Sequence, residues 1–354
     1  MDAPNLYSIA CAIVGIAAFV AALFVLSRVL PGQRAAGVVQ SDGKQHVYTL
    51  NGFSLLLLTL GAALLIQALG GSLGTLIRGY WSLLIAANVL AFLATAALMW
   101  AGRRTTPPGF RSFYFGAQRD PMLFGVDLKL FSYRPSLIGL ALFNVACAVY
   151  QYETSGRISL AMGLYLAMTL IYVGNYFQFE RGMMFTWDII EERFGWMLVW
   201  GDYVLVPFFY CLPGLALTRR PVELSPAGAL SLAALFAFGF WLFRGANQQK
   251  HDFKSNPTVQ IWGRPAERLQ DRLLVSGFWG IGRKLNYTGE LCIYVAWTIP
   301  AGMVTPWAWL LPAWLAGLLI HRAWRDDRRC RAKYGALWEA YCRRARFRMI
   351  PLIY

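Results

Sequence analysis

Residues 291–320, LCIYVAWTIPAGMVTPWAWLLPAWLAGLLI, carry no charge at all, whereas residues 321–354, HRAWRDDRRCRAKYGALWEAYCRRARFRMIPLIY, are dense with it. One membrane-spanning helix needs about 20 apolar residues. A longer run, with Pro300 and Pro306 near its middle, therefore reads as a hairpin of two short helices. Arg322, Arg325, Arg328, Arg329, Arg331 and Lys333 then crowd around Asp326 and Asp327, followed by Tyr334, Trp338, Tyr341 and Phe347. A hairpin that delivers such a segment to a membrane surface suits one of two ligands. These are anionic lipid headgroups, or a phosphate-bearing cofactor held against a substrate in the bilayer.

The rest of the chain has the same character. Its 354 residues are 57% hydrophobic and 14% charged, with a mean hydropathy of +0.45. Soluble domains carry roughly 25% charged residues, so a polytopic membrane protein is the class that fits. The net charge of +15 does not point to nucleic acid. Most basic residues lie between apolar runs, where the positive-inside rule places them. Residues 241–354 nevertheless hold 18 Lys and Arg against 7 Asp and Glu, net +11, while residues 1–240 are net +4. That excess favours an anionic ligand for the last third. The cysteines (Cys11, Cys147, Cys211, Cys292, Cys330, Cys342) show no CxxC spacing, and His46, His251 and His321 are far apart. No metal site is expected.

Uncharged runs mark the spans: residues 3–27, 51–77, 79–102, 135–152, 158–179 and 224–243, with 194–218 broken only by Asp202. With the 291–320 hairpin, the pattern predicts nine transmembrane helices, and 273–282 offers a partly buried tenth. Helices satisfy their own backbone hydrogen bonds in lipid, so the fold class is an all-α polytopic bundle. The first run lacks a basic n-region and reads as a retained span. Loop charge orients the bundle. Arg28, Arg34 and Lys44, then Arg103, Arg104, Arg111, Arg119, Lys129 and Arg134, then the 244–285 loop, share the cytoplasmic side if the first residue is outside. Arg219 and Arg220 fall on the opposite side. No linker or repeat is visible, so residues 1–354 read as one membrane domain. Residues 1–180 would support it, and 181–354 would carry the chemistry.

Ionisable groups at membrane depth are costly and mark function by default. Glu191, Glu192 and Arg193 suit a short solvated loop. Glu180 and Asp202 abut long apolar runs and are candidate substrate contacts, though Asp202 after Gly201 also suits a helix cap. Lys250 and Lys254 are four apart, on one face of a helix. Ser276, Gly277, Gly280 and Gly282 make no GxGxxG fingerprint, and small residues in membrane helices more often permit close packing. Arg322, Asp326, Cys330 and Tyr334 share a helical face, with Tyr341 two turns further on. An Asp facing an Arg and a Tyr is a candidate acid pair, and an amphipathic helix on anionic lipid is the competing reading.

Two strings, LLVSGFWGIGRKLNYTGE (273–290) and HRAWRDDRRCRAKYG (321–335), resemble the two C-terminal signatures of the sterol reductase family. Its members include the Δ14-, Δ7- and Δ24(28)-sterol reductases and the lamin B receptor. GVDLKLFSYRPSL (125–137), TWDIIEERFGWMLVWGDYVLVPFFY (186–210) and the ANQQKHDFKSNP…IWG run (246–263) agree in the same order. The resemblance covers residues 110–354. It implies about ten transmembrane helices and NADPH-dependent reduction of a sterol carbon–carbon double bond, with Δ14 the first expectation and Δ24(28) or Δ7 the alternatives. The cofactor contacts it implies are Lys250, Lys254, Leu274, Trp279, Asn286, Tyr287, Arg322, Asp326, Cys330 and Tyr334, with acid catalysis at Asp326 and Tyr341. Basic residues suit a 2′-phosphate.

The chemistry matches these residue types. An isolated alkene is not electrophilic enough for hydride, so it must be protonated first, in a dry apolar pocket. The chain departs from the family at Gln118-Arg119-Asp120-Pro121 and at Asn175-Tyr176-Phe177-Gln178-Phe179-Glu180, where only Glu180 of a middle-helix pattern is kept. Those departures bear on the bond position more than on the reaction. No Tudor-like segment precedes the spans, so a compact bacterial-type member is expected, in the cytoplasmic membrane, or in the endoplasmic reticulum if eukaryotic. Its expected partners are a bilayer sterol and membrane lipid. Two alternatives stand: an isoprenylcysteine-type methyltransferase using S-adenosylmethionine, which has no 2′-phosphate for Lys250 and Lys254 to bind, and a non-enzymatic sterol-binding scaffold, which has no use for both Asp326 and Tyr341.

Overall fold

A computed structural model describes residues 1–39 and 45–354, and Lys44 of the first basic loop lies outside them. The chain is mostly helical and divides into two compact units, Met1–Pro221 and Val222–Tyr354. Among the described residues, six helices are long and apolar enough to cross a membrane. The shorter apolar helix Gly52–Ala68 and the long helices Leu285–Gly302 and Leu310–Tyr334 occupy three more of the expected runs. The described residues also hold four two-stranded antiparallel ladders that hydropathy did not foretell.

In the first unit, α1 (Leu6–Val29) opens on a capping box in which Asn5 and Ser8 exchange side-chain-to-backbone hydrogen bonds. Its apolar window is only 11% buried, which suits a lipid-facing helix. A ladder between Gln33–Val39 and Gln45–Leu50 leads to α2 (Gly52–Ala68). The 51–77 run breaks after α2 because Gly70 takes φ +91°, a left-handed conformation glycine adopts without strain. After α3 (Tyr80–Ala101) comes the core helix, α4 (Leu128–Ser155). Asp127 caps it by accepting from the Lys129 and Leu130 amides, and its window is 89% buried. Against it pack α2, α5 (Leu160–Gln178) and α6 (Trp196–Arg219). Within α6, Gly201–Phe209 is a π-helix, a form that often accompanies function.

In the second unit, Ser225 caps α7 (Pro226–Ser255). Two short ladders follow, Gln260–Ile261 with Arg264–Pro265 and Arg268–Leu269 with Leu273–Leu274. The 273–282 run is therefore a strand end plus the single turn α8 (Phe278–Ile281). Then come α9 (Leu285–Gly302), α10 (Leu310–Tyr334) and α11 (Ala336–Arg344). Helices α7 and α9 meet through glycine. A Cβ on Gly289 would lie 2.5 Å from the Phe243 amide nitrogen, and one on Gly239 would lie 2.7 Å from the Gly289 carbonyl oxygen. Backbones this close are the small-residue contact of membrane helices. Gly289→Ala is thus expected to lower the thermal midpoint of detergent-solubilised protein, with an overpacking cost of about 1–3 kcal/mol. Gly61→Ala, which meets nothing within 4 Å, serves as the control.

Candidate active site

The C-terminal half of α7, the turn α8, the start of α9 and the charged end of α10 converge in the second unit. Trp279 ties them together. Its indole Nε1 donates to the Ala246 carbonyl at 2.8 Å, and its own carbonyl accepts the Tyr341 hydroxyl at 3.1 Å. The Phe278 amide donates to Gln249 Oε1 at 2.9 Å, which holds α8 against α7. Lys250 Nζ sits 4.6 Å from the centroid of the Trp279 ring. Neither Lys250 nor Lys254, one turn on, makes an ion pair among the described residues. Leu274 belongs to the apolar cluster beneath, with Leu242, Ala246, Phe278 and Leu285.

Lys284, in the turn before α9, is buried and ion-paired to Asp326 of α10. Its ammonium lies 5.7 Å from the Tyr287 ring centroid, and Cys330 Sγ lies 3.9 Å from Asp326 Oδ2. Burial alone would raise the Asp326 carboxyl, but Lys284 attracts and hydrogen-bonds it, so its pKa ends below the ordinary value. Burial alone would lower the Lys284 ammonium, but Tyr287 and Asp326 outweigh it, so its pKa ends above the ordinary value. Asn286 Nδ2 donates to Asn247 Oδ1 at 3.2 Å, while the buried Asn286 Oδ1 has no partner among the described residues. Arg322, Asp326, Cys330 and Tyr334 are all half-buried along one face of α10.

Nearly all residues singled out on the last third of the sequence are therefore brought into one region. Tyr341 is placed differently from an exposed acid: it is 3% exposed, packed with Val275, Trp338 and Ala345, and its hydroxyl is committed to Trp279. Burial pushes its phenol well above the ordinary range. Glu180 and Asp202 belong to the first unit. Both oxygens of Glu180 are engaged: Oε1 by Arg134 at 3.0 Å and Oε2 by the Gly52 amide at 2.9 Å. Asp202 is half-buried near the start of the π-helix. Sequence reasoning left out Lys284, Asn247 and Gln249. The signal for Lys284 was there, since a basic doublet at 283–284 has an acidic doublet at 326–327 to meet.

Residues 10–354 match the Ergosterol biosynthesis ERG4/ERG24 family. The chain belongs to this family. The Delta(14)-sterol reductase of Arabidopsis thaliana is 37% identical over 346 residues, covering 94% of this chain and 93% of its own length. That of Dictyostelium discoideum is also 37% identical, covering 92% of this chain and 74% of its own. The bacterial Delta(14)-sterol reductase of Methylotuvimicrobium alcaliphilum is 35% identical, covering 92% and 79%. The family thus spans both units of the fold.

The opposed shifts of Lys284 and Asp326 set a pH window. A depressed Asp326 contributes stability that is present above the ordinary carboxylate range and lost as pH falls through its folded pKa. A raised Lys284 contributes stability that is present below the ordinary lysine pKa and lost as pH rises through its folded pKa. The pair is intact across neutral pH. Lys284→Met removes the attraction that holds the Asp326 carboxyl down and leaves burial to raise it. A raised carboxyl loses stability as pH rises through its folded pKa, so the melting midpoint of the variant should climb on mild acidification where that of the parent does not. An unchanged pH profile of the melting midpoint would remove this electrostatic account.

Proposed function

We propose that this chain reduces the Δ14 double bond of a bilayer sterol with hydride from NADPH. The observation that carries the reading is the cation–indole–amide cluster of Lys250, Trp279 and Asn286 beside the Lys284–Asp326 ion pair, in a chain of the sterol reductase family. The donor set fits the cofactor: Lys250 and Lys254 have no anionic partner among the described residues, and a buried amide oxygen awaits a donor. Lys254 and Lys250 would take phosphate, with Arg322 on the neighbouring helix face. Trp279, Leu274, Tyr287, Cys330 and Tyr334 would line the rest of the site. When bound, NADPH supplies the hydride.

The protein's own part is to hold a proton and exclude water. Lys284 Nζ donates to Asp326 Oδ2, with the lysine buried and the carboxylate half-buried. In the free protein the two form an ion pair. Once the site is closed to water by cofactor and sterol, desolvation narrows the gap to the neutral pair, and the proton taken from Lys284 would pass through Asp326 to the alkene. Solvent restores it after turnover. Tyr341 holds the Trp279 carbonyl, and through it the indole against Lys250. Glu180 clamps α2 to α4 through Arg134. We place this site at the cytoplasmic membrane surface, on the side the positive-inside rule assigns to the basic loops, and take α2, α9 and the apolar first part of α10, residues 310–320, as further spans. A methyl-transfer chemistry would leave the Lys250–Lys254 pair without a phosphate to bind.

Purified protein with NADPH and a panel of Δ14, Δ7, Δ24(28) and Δ24 sterols is expected to reduce the Δ14 member, read by product mass. Reduction of a different member would reassign the bond, and reduction of none would overturn the reading. Lys254→Ala should weaken NADPH about tenfold or more while NADH changes little, because a charge-assisted phosphate contact is lost. Equal weakening of both cofactors would remove the 2′-phosphate assignment.

A further inference from the structure

Asp327 follows the Asp326 of the site but faces the other way. It is 6% exposed and accepts two hydrogen bonds, with two further guanidinium groups at ion-pair distance. Arg348 Nη2 lies 3.2 Å from Oδ2, the Trp338 indole donates to Oδ1 at 3.2 Å, and Arg283 Nε and Arg331 Nη2 approach at 3.7 and 3.9 Å. A buried carboxylate stays charged only with such compensation. Arg283 in turn is stitched to the segment after α11. Its amide donates to the Phe347 carbonyl at 2.9 Å, and its Nη1 donates to the Ala345 carbonyl at 2.7 Å. Thr288, one turn into α9, donates to the Met349 carbonyl at 2.7 Å. Arg348 also donates to the Tyr354 hydroxyl at 2.9 Å.

Two adjacent cations, Arg283 and Lys284, thus meet two adjacent carboxylates, Asp327 and Asp326. One pair belongs to the cofactor side and the other to the 345–354 segment. Neither pair can shift along the helices without the other, because the peptide bonds 283–284 and 326–327 link them. We propose that the 345–354 segment is a strap that sets the Lys284–Asp326 contact through Asp327, and that Asp327 and Arg348 are positioning residues for the reaction. The functional half of this inference rests on the NADPH reading; the mechanical half does not.

Cys330 reports on the mechanical half without any cofactor. Its thiol is half-buried beside Asp326, and burial together with that carboxylate raises it to about 11. Alkylation of the full chain by N-ethylmaleimide, mapped by peptide mass spectrometry, compares the parent with Arg348→Met and Arg348→Lys. Arg348→Met is expected to label Cys330 roughly tenfold faster, through local opening, with Cys292 of α9 unchanged. Arg348→Lys should restore most of the protection. If the Cys330 and Cys292 rates rise together, the segment is only a global prop, and if neither changes, the strap is absent. Either result overturns the proposal.

A double-mutant cycle on NADPH affinity tests the functional half. Arg348→Met should weaken binding by about tenfold in the parent, within the range for groups that hold a binding residue in place. It should add little once Lys284→Met has removed the contact it sets. Additive effects would mean that the strap does not act through Lys284–Asp326. A parent protein that fails to bind NADPH would sink the cofactor reading instead, while the alkylation contrast would still decide the strap.

Discussion

Two charged doublets meeting between the start of α9 and the end of α10 govern the second unit. Taking a charge out of water costs several kcal/mol, and removing one partner of a buried pair is strongly destabilising. Arg283 and Lys284 can therefore lie buried only because Asp327 and Asp326 stand opposite, and the carboxylates depend on the cations equally. That mutual requirement fixes where α9 starts relative to the end of α10. It also explains why the turn before α9 is polar although the helix itself is apolar. The Trp279, Lys250 and Asn286 groups are arranged around this fixed point.

The first unit solves the same problem with single pairs. Arg134 and Glu180 join α4 to the end of α5, and Glu180 reaches on to the first amide of α2. Lys129 is fully buried and pairs with Asp120 at 3.0 Å while donating to the Ile189 and Glu192 carbonyls at 2.8 Å. Such contacts pin the segment leading into α6, whose π-helix carries Asp202. Buried charge here organises helix ends, while the apolar faces of α1 and α7 are left to lipid.

The helices were legible because charge-free runs of this length admit little else. What hydropathy could not show was local geometry. The 51–77 run is interrupted at Gly70, and 273–282 folds as a strand and one turn instead of a tenth helix. Both depend on glycine conformations and short-range pairing, not on apolar content. The site was legible as a set of residue types at helical spacing, which is why Asp326, Cys330 and Tyr334 share a face. The partner of Asp326 was not, since Lys284 is 42 residues away and only tertiary packing joins them. Tyr341 shows the same limit: spacing put it near the acid, but spacing says nothing of the Trp279 carbonyl that engages its hydroxyl.

The central claim is that one hydrogen reaches the sterol from the cofactor and the other from a protein group in exchange with water. Reduction of a Δ14 sterol with nicotinamide-deuterated NADPH in ordinary water, and with ordinary NADPH in heavy water, reads both sources by product mass and position. The account predicts a single deuterium from each experiment, on adjacent carbons of the former double bond. Both deuterium atoms from one source, or none from either, would contradict it.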